Sequence, residues 1–300
     1  MIRSLLVLVL AVAGCQPADN APPGATDLTV MTFNIRYDNP GDGPSAWPNR
    51  ADWVAETIGT ANPDVFGLQE ALLHQIEHVA AALPDYRWVG VGRDDGEERG
   101  EFSPVFYRAN LLELLDTGTW WLSDAPADTG SVGWDAALPR VATVTHFGLR
   151  DTGQPLWLIN THFDHLGEVA RTQSAALLAD LSGALALTGA DATGTPSTKS
   201  EASDGRVPVV LMGDFNFTEA SAGYANLTGS GLQDAFVAAG RPSPSETFTG
   251  FDATAGPSGD RIDLVFTSGA SVRSYEALDV IHEGRYVSDH RPVVVSLTIP

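Results

Sequence analysis

The feature that most constrains this chain is a recurrence: short runs rich in β-branched and aromatic residues, several closing on an acid, an asparagine or a histidine. The runs are LTVMTFNI (28–35), DVFGLQ (64–69), YRWVGV (86–91), PVFYR (104–108), VATVTHF (141–147), PLWLINTH (155–162), PVVLMGD (208–214), RIDLVFT (261–267) and PVVVSLTI (292–299). Such runs read as strands, and helical periodicity between them predicts an α/β class. Over 71–83, Leu72, Ile76, Val79, Ala80 and Leu83 share one face of a helix; His74, Glu77 and His78 take the other, a solvated surface. A second helix is expected from about Glu168 to Leu181. Residues 182–207, small, polar and Gly-rich, read as an insertion loop within one catalytic domain, 28–300.

The strand ends carry the chemistry. Asn34 follows TVMTF, Glu70 follows DVFGLQ, and His162 follows LWLINT. Asp214 and Asn216 follow VVLMG, and Asp289-His290 precede the last run. One such residue is usually a turn former or helix cap. Seven, all flanking such runs, converge on a crevice of the kind where α/β proteins place their sites.

The N-terminus is of another character. Arg3 precedes an apolar stretch, Leu5 to Val12, too short to span a bilayer, and the stretch ends in VAGC with Cys15 as the chain's one cysteine. This resembles a bacterial lipobox and implies a signal peptide (1–14) and a lipidated tether (15–27). The expectation is an exported cell-envelope lipoprotein, held at the outer membrane if the host has two membranes because Gln16 follows the cysteine. Plain secretion is the alternative. The net charge of -21 repels polyanions at long range, so nucleic acid is the less favoured partner.

Seven motifs, in order, carry a family resemblance: MTFNIRYD, GLQE, GEFSPVFYR, INTHFDH, LMGDFN, DRIDLVF and SDHRPV. Together they resemble the endonuclease/exonuclease/phosphatase superfamily across residues 28 to 300. The resemblance implies a four-layer α/β/β/α sandwich of two mixed sheets flanked by helices. It implies Glu70, Asn34 and Asp289 as metal ligands, and oxygen donors without cysteine suit Mg²⁺ or Mn²⁺. Asp214 is implied to orient or deprotonate the attacking water, with Asn216 bonding the phosphoryl group and His162 and His290 donating to its oxygens. Glu101 is implied to pair with His162, and Asp263 with His290, each carboxylate keeping its ring protonated.

Beyond the roles that the resemblance implies, Arg36 and Arg140 are candidate substrate contacts, with His165 and Asp164 beside the pocket. The loop 92–100 and a tryptophan-bearing loop, 120–140, would rim the site, the tryptophans serving as packing between the sheets. His162 and His165, three apart on an extended segment, are expected on opposite faces, which argues against a zinc site there. Three functions compete. One is a metal-dependent phosphatase or phosphodiesterase acting, as a monomer, on a small phosphorylated metabolite or lipid headgroup. The others are a secreted nuclease and an inactive binding protein on the same scaffold.

Overall fold

A computed structural model describes residues 25–188, 206–253 and 259–300. The signal segment, Cys15, most of the tether and the middle of the insertion fall outside the described residues. In chain order the first part comprises β1 (Thr26–Asn34), α1 (Ala51–Ala61), β2 (Val65–Gln69), α2 (Leu73–Ala82), β3 (Tyr86–Val89) and β4 (Val105–Arg108). The second comprises β5 (Leu112–Trp121), β6 (Val141–Leu149), β7 (Pro155–His162), α3 (Glu168–Thr188), β8 (Val209–Asp214), α4 (Ala222–Gly229), β9 (Gln233–Asp234), α5 (Ala235–Ala238) and β10 (Asp263–Ser268). The chain then returns through β11 (Ser271–Ala277), β12 (Ile281–His282), β13 (Arg285–Tyr286) and β14 (Val293–Ile299).

Two six-stranded sheets result, ordered β11-β14-β1-β2-β4-β3 and β5-β6-β7-β8-β10-β9. Both are mixed: β1 runs parallel to β2 and β7 to β8, while their other pairings are antiparallel. The expected sandwich is therefore present, with α1 and α2 on one outer face and α3 and α4 on the other. Alternation along each strand produces three separate cores. On β1, Leu28 and Val30 point into the gap between the sheets, whereas Met31 and Phe33 pack in the cluster shared with α1 and α2. On β7, Leu156 and Leu158 point inward while Trp157 and Ile159 pack in the cluster shared with α3.

Following the inward positions toward one end of the sandwich leads from apolar to polar. On β1 the series continues to Thr32 and Asn34, on β2 to Gly67 and Gln69, on β7 to Asn160 and His162, and on β8 to Asp214. Asn160 ties the sheets together there. Its Nδ2 donates to Leu68 O and Pro104 O, each at 2.9 Å, and its Oδ1 accepts from Gln69 Nε2 at 2.6 Å. A Cβ on Gly67 would lie 2.3 Å from Asn160 Cγ, so the glycine is what admits this bridge.

Several expectations are corrected. The strand begins at Thr26 and so takes the last two residues assigned to the tether. Helix α3 runs on to Thr188, into the stretch read as insertion loop. Trp120 and Trp121 end a strand, β5, whose alternating exposed residues had concealed it. Of the tryptophans in 120–140, Trp120 packs in the cluster shared with α3 rather than in the gap between the sheets, and Trp121 Nε1 donates to Arg93 O at 2.7 Å.

Candidate active site

Strand register assembles the site. His162 on β7 pairs with Asp214 on β8, which in turn pairs with Asp263 on β10, so three site residues form one row across neighbouring strands. The opposite sheet delivers Asn34, in register with Gln69, the residue before Glu70. A cleft of about 670 Å³ opens between the two groups. Glu70, Glu101, His162, Asp214, Asn216, Asp289 and His290 line it, together with Arg36, Arg140 and His165. Asn34 and Asp263, both fully buried, stand behind its wall.

The backbone is strained where these groups turn inward. Arg36, Glu70 and Asn216 all hold left-handed φ values, of 57, 60 and 51°. Non-glycine residues rarely sit there, and such outliers gather at functional sites. Gly213 of LMGDFN has φ 152°, and a Cβ at that position would meet Thr161 O at 2.0 Å. The close approach of β8 to β7 therefore requires glycine there.

The first half of the site is built from carboxylates. Asn34 Nδ2 donates to Glu70 Oε1 at 3.1 Å and to Asp214 Oδ2 at 3.0 Å, while its Oδ1 accepts from Arg36 N at 2.9 Å. Glu70 Oε2 accepts from Tyr37 N at 3.0 Å. The Arg36 guanidinium is forked by Asp42 at 3.0 and 3.2 Å and lies 3.7 Å from Glu70 and 3.8 Å from Asp289. Burial opposes its charge, but Asp42, Asp289 and Glu70 outweigh burial and hold its pKa above the ordinary value. Burial raises that of Asp289. Arg50, itself buried, donates to Arg36 O at 2.8 Å, and Gln75 Nε2 does so at 3.0 Å. Arg50 carried no signal in the sequence beyond closing the loop before α1.

The second half is built from imidazoles. His290 Nδ1 lies 2.8 Å from Asp263 Oδ2, and its Nε2 is 3.8 Å from Asp214 Oδ2. Burial works against a charged ring, but Asp263 and Asp214 prevail and keep His290 protonated well above the usual range. Asp214 is pushed up to about 7 by burial and by the like charge of Asp263.

His162 is different: the expected carboxylate stands beside it but does not hold a proton on it. Glu101 stands 3.8 Å from its Nδ1, but both Glu101 oxygens are forked by Arg93 at 2.7 and 2.9 Å. The atom that reaches Nδ1 is Arg140 Nη1, at 3.1 Å. Burial and the nearby Arg140 and Arg93 charges depress the His162 pKa well below its ordinary value, so this ring is not held protonated. Arg93 was hidden in the 92–100 segment, whose run of acids and glycines reads as open loop.

The expectation for HFDH also fails in part. His165 Nδ1 lies 2.9 Å from Arg140 Nη2, so His162 and His165 meet the same guanidinium. Strand β7 ends at His162, and the alternation that would have separated the rings ends with it. Asp164 does not line the cleft: it is buried, accepts from Leu166 N and Gly167 N, and lies 3.3 Å from Arg140 Nε. His74 and His78 do not line the cleft and are paired with Asp38 and Asp52. Tyr37, Leu138, Phe248 and Ile262 complete the lining; isolated apolar residues in loops carry no pattern by which a sequence could mark them.

Two groups of side chains could hold a cation. Glu70 and Asp289 face the cleft with oxygen donors only, and Arg36 already answers their negative charge. Among the described residues Asp214, Asp263 and His290 also gather within chelating distance, fully buried. There the imidazole holds its proton toward Asp263, an arrangement suited to proton donation rather than to ligation.

The family model for the endonuclease/exonuclease/phosphatase family matches residues 31–290. Among solved structures, a family protein from Bacteroides thetaiotaomicron is 34% identical, with TM-score 0.82, covering 92% of this chain and 99% of its own. A mannosyl-6-phosphatase from Bacteroides thetaiotaomicron VPI-5482 is 35% identical, with TM-score 0.79, covering 90% of this chain and 99% of its own. D. rerio TDP2, complexed with a single-strand DNA product, shares the fold at 18% identity and TM-score 0.65, covering 91% of this chain and 99% of its own. No curated protein sequence matches the chain.

Proposed function

Because the chain belongs to the endonuclease/exonuclease/phosphatase family, we propose that it is a divalent-metal-dependent hydrolase of phosphoester bonds in a small or lipid-linked phosphorylated substrate. The observation that carries this reading is a pair of opposed proton states in one cleft. His290 is held charged by Asp263, while Asp214, 3.8 Å away, is held near the point of ionisation. Groups pushed apart in this way serve as acid and base at a single pH.

In this reading the ionised Asp214 accepts the proton of the attacking water. The His290 imidazolium meets the phosphoryl oxygens as charge grows on them, a preorganised donor in a water-poor site. Asn216 stands beside His162 at 3.1 Å and adds an amide to the same wall. Glu70 and Asp289 would hold Mg²⁺ or Mn²⁺, for which an all-oxygen donor set is suited. Asn34 orients Glu70 from behind and can add only the remaining lone pair of Oδ1. When bound, the cation supplies charge neutralisation at a phosphoryl oxygen.

The similarity to a mannosyl-6-phosphatase makes sugar phosphates the first substrates to test. Phe248, two-fifths exposed beside the His290 ring, and Leu138 offer apolar walls to the organic part of such a molecule. The acidic exterior disfavours a long polyanion. The lipobox-like VAGC supports export and membrane attachment through Cys15. A panel of sugar phosphates, inositol phosphates, sphingomyelin, RNA and plasmid DNA at low salt with Mg²⁺ tests the reading. Release of phosphate from a small ester is expected. Degradation of plasmid or RNA with every small ester untouched replaces this reading with a nuclease.

A further inference from the structure

We propose that Arg140 is a positioning residue which, by donating to Nδ1 of His162, fixes that ring as a neutral imidazole presenting its Nε2–H to the cleft. A guanidinium has five N–H donors and no acceptor. The ring nitrogen 3.1 Å from Arg140 Nη1 is therefore the unprotonated one. The proton sits on Nε2, which has Asp214 Oδ2 at 3.5 Å. Asn216 Nδ2 also lies 3.1 Å from Nε2 and donates one of its two N–H groups to Phe163 O at 3.0 Å; a neutral ring accepts at one nitrogen only, and the charged guanidinium is the stronger of the two donors.

Arg140 is itself held on every side. Strand β6 pairs Ala142 with Thr161, which carries the residue just before the strand alongside His162 and Phe163. Its carbonyl accepts from Leu122 N at 2.7 Å, and Asp164 anchors its Nε. The Asp164 carboxylate is kept ionised against burial by the backbone N–H groups of Gly167, Leu166 and Ala137 and by Arg140 itself. With Nη2 on His165, one buried guanidinium grips three of the four residues of HFDH.

The charged groups around His162 are Arg140, Arg93, Glu101, Asp214, His165 and His290. Glu101 is the one carboxylate on the Nδ1 side, and Arg93 occupies both its oxygens. The two site histidines thus stand in opposite states. His290 carries a proton supported by a carboxylate, and His162 is an uncharged donor aligned by an arginine. This rests on the phosphoester reading only for what Nε2–H meets; the ring state itself is readable without turnover.

The test is long-range ¹H–¹⁵N correlation on the full chain labelled at histidine, from about pH 5.5 to 8.5, where a free imidazole would titrate. One ring, assigned by its absence in His162→Gln, is expected to keep an unprotonated Nδ1 and a protonated Nε2 throughout. In Arg140→Gln that ring should titrate, with kcat about ten- to a hundredfold lower and KM little changed. Glu101→Gln should leave the tautomer intact. A doubly protonated His162 near pH 6 in the wild type, or a proton on Nδ1, overturns the proposal. Both of those outcomes are read on the wild type, so they decide the matter even if Arg140→Gln fails to fold. A wild type inert toward every phosphoester, with the expected tautomer, would instead sink the proposed function alone.

Discussion

Asp263 lies 2.8 Å from His290 Nδ1 and in register with Asp214 on the neighbouring strand, so one buried carboxylate raises the pKa of both groups that bracket the reaction. For His290 it is an opposite charge that stabilises the imidazolium. For Asp214 it is a like charge that resists ionisation.

A displaced pH profile follows. Activity needs Asp214 ionised and His290 protonated, so kcat/KM should climb as pH passes about 7 and fall only at alkaline pH. In Asp263→Asn both limbs should move toward lower pH, by roughly one to two pH units each, because both groups lose the charge that raised them. A shift of one limb alone would separate the two residues and contradict the shared-carboxylate account.

Removing the metal is the second expectation. Exhaustive chelation with EDTA should abolish hydrolysis, and Mg²⁺ or Mn²⁺ should restore it, while Glu70→Ala should not respond to added metal. Full activity after chelation would mean that Arg36, already beside Glu70 and Asp289, supplies the cationic charge by itself.

The histidines should divide sharply. His290→Ala is expected to lower kcat by about 10²–10⁴-fold with circular dichroism unchanged. His74→Ala, on the exposed face of α2, should leave kcat and KM at wild-type values. A silent His290→Ala would remove that ring from the site.

The inter-sheet bridge should matter for stability. Asn160→Ala removes three buried hydrogen bonds, to the Leu68 and Pro104 carbonyls and from the Gln69 amide, a loss of about 2–4 kcal/mol. Gly67→Ala drives a methyl into Asn160, at about 1–3 kcal/mol. Urea unfolding measures both, and near-additive losses in the double variant would show that the two residues are not coupled.

Attachment through Cys15 predicts a mature chain that begins at an acylated cysteine and partitions with membranes. Cys15→Ser, expressed in a bacterial host that processes lipoproteins, should lose lipid labelling. A mature terminus elsewhere, found by mass spectrometry, would indicate plain secretion.

Much of this site was legible because its residues sit where strands end, and strand ends can be read from composition. Asn34, Glu70, His162 and Asp214 were all placed in that way. What escaped has physical causes. Helix α1, ADWVAETIGTA, mixes threonine, glycine and charge on a short element, and β5 shows alternating exposure with two acids and a glycine along its length. Arg93, Arg50 and the Arg140 contacts depend on pairings between segments far apart in sequence, such as Arg50 with Ile35 and Val287. An arginine in a loop reads as solvated until the register of the sheets brings a partner to it.

The pairing of Thr26 with Ile299 puts both ends of the folded domain side by side, one strand length from the cleft. With nine residues in β1 that distance is roughly 30 Å. The catalytic mouth is thus at the far pole from Thr26 and Ile299. A domain fused at Pro300 or a bead coupled there would leave the mouth unobstructed and turned away from the support. A short peptide could also join Pro300 to Thr26, with new ends opened at the exposed Asp151–Gly153 turn between β6 and β7. Such a circular permutant would keep every strand partner the site depends on.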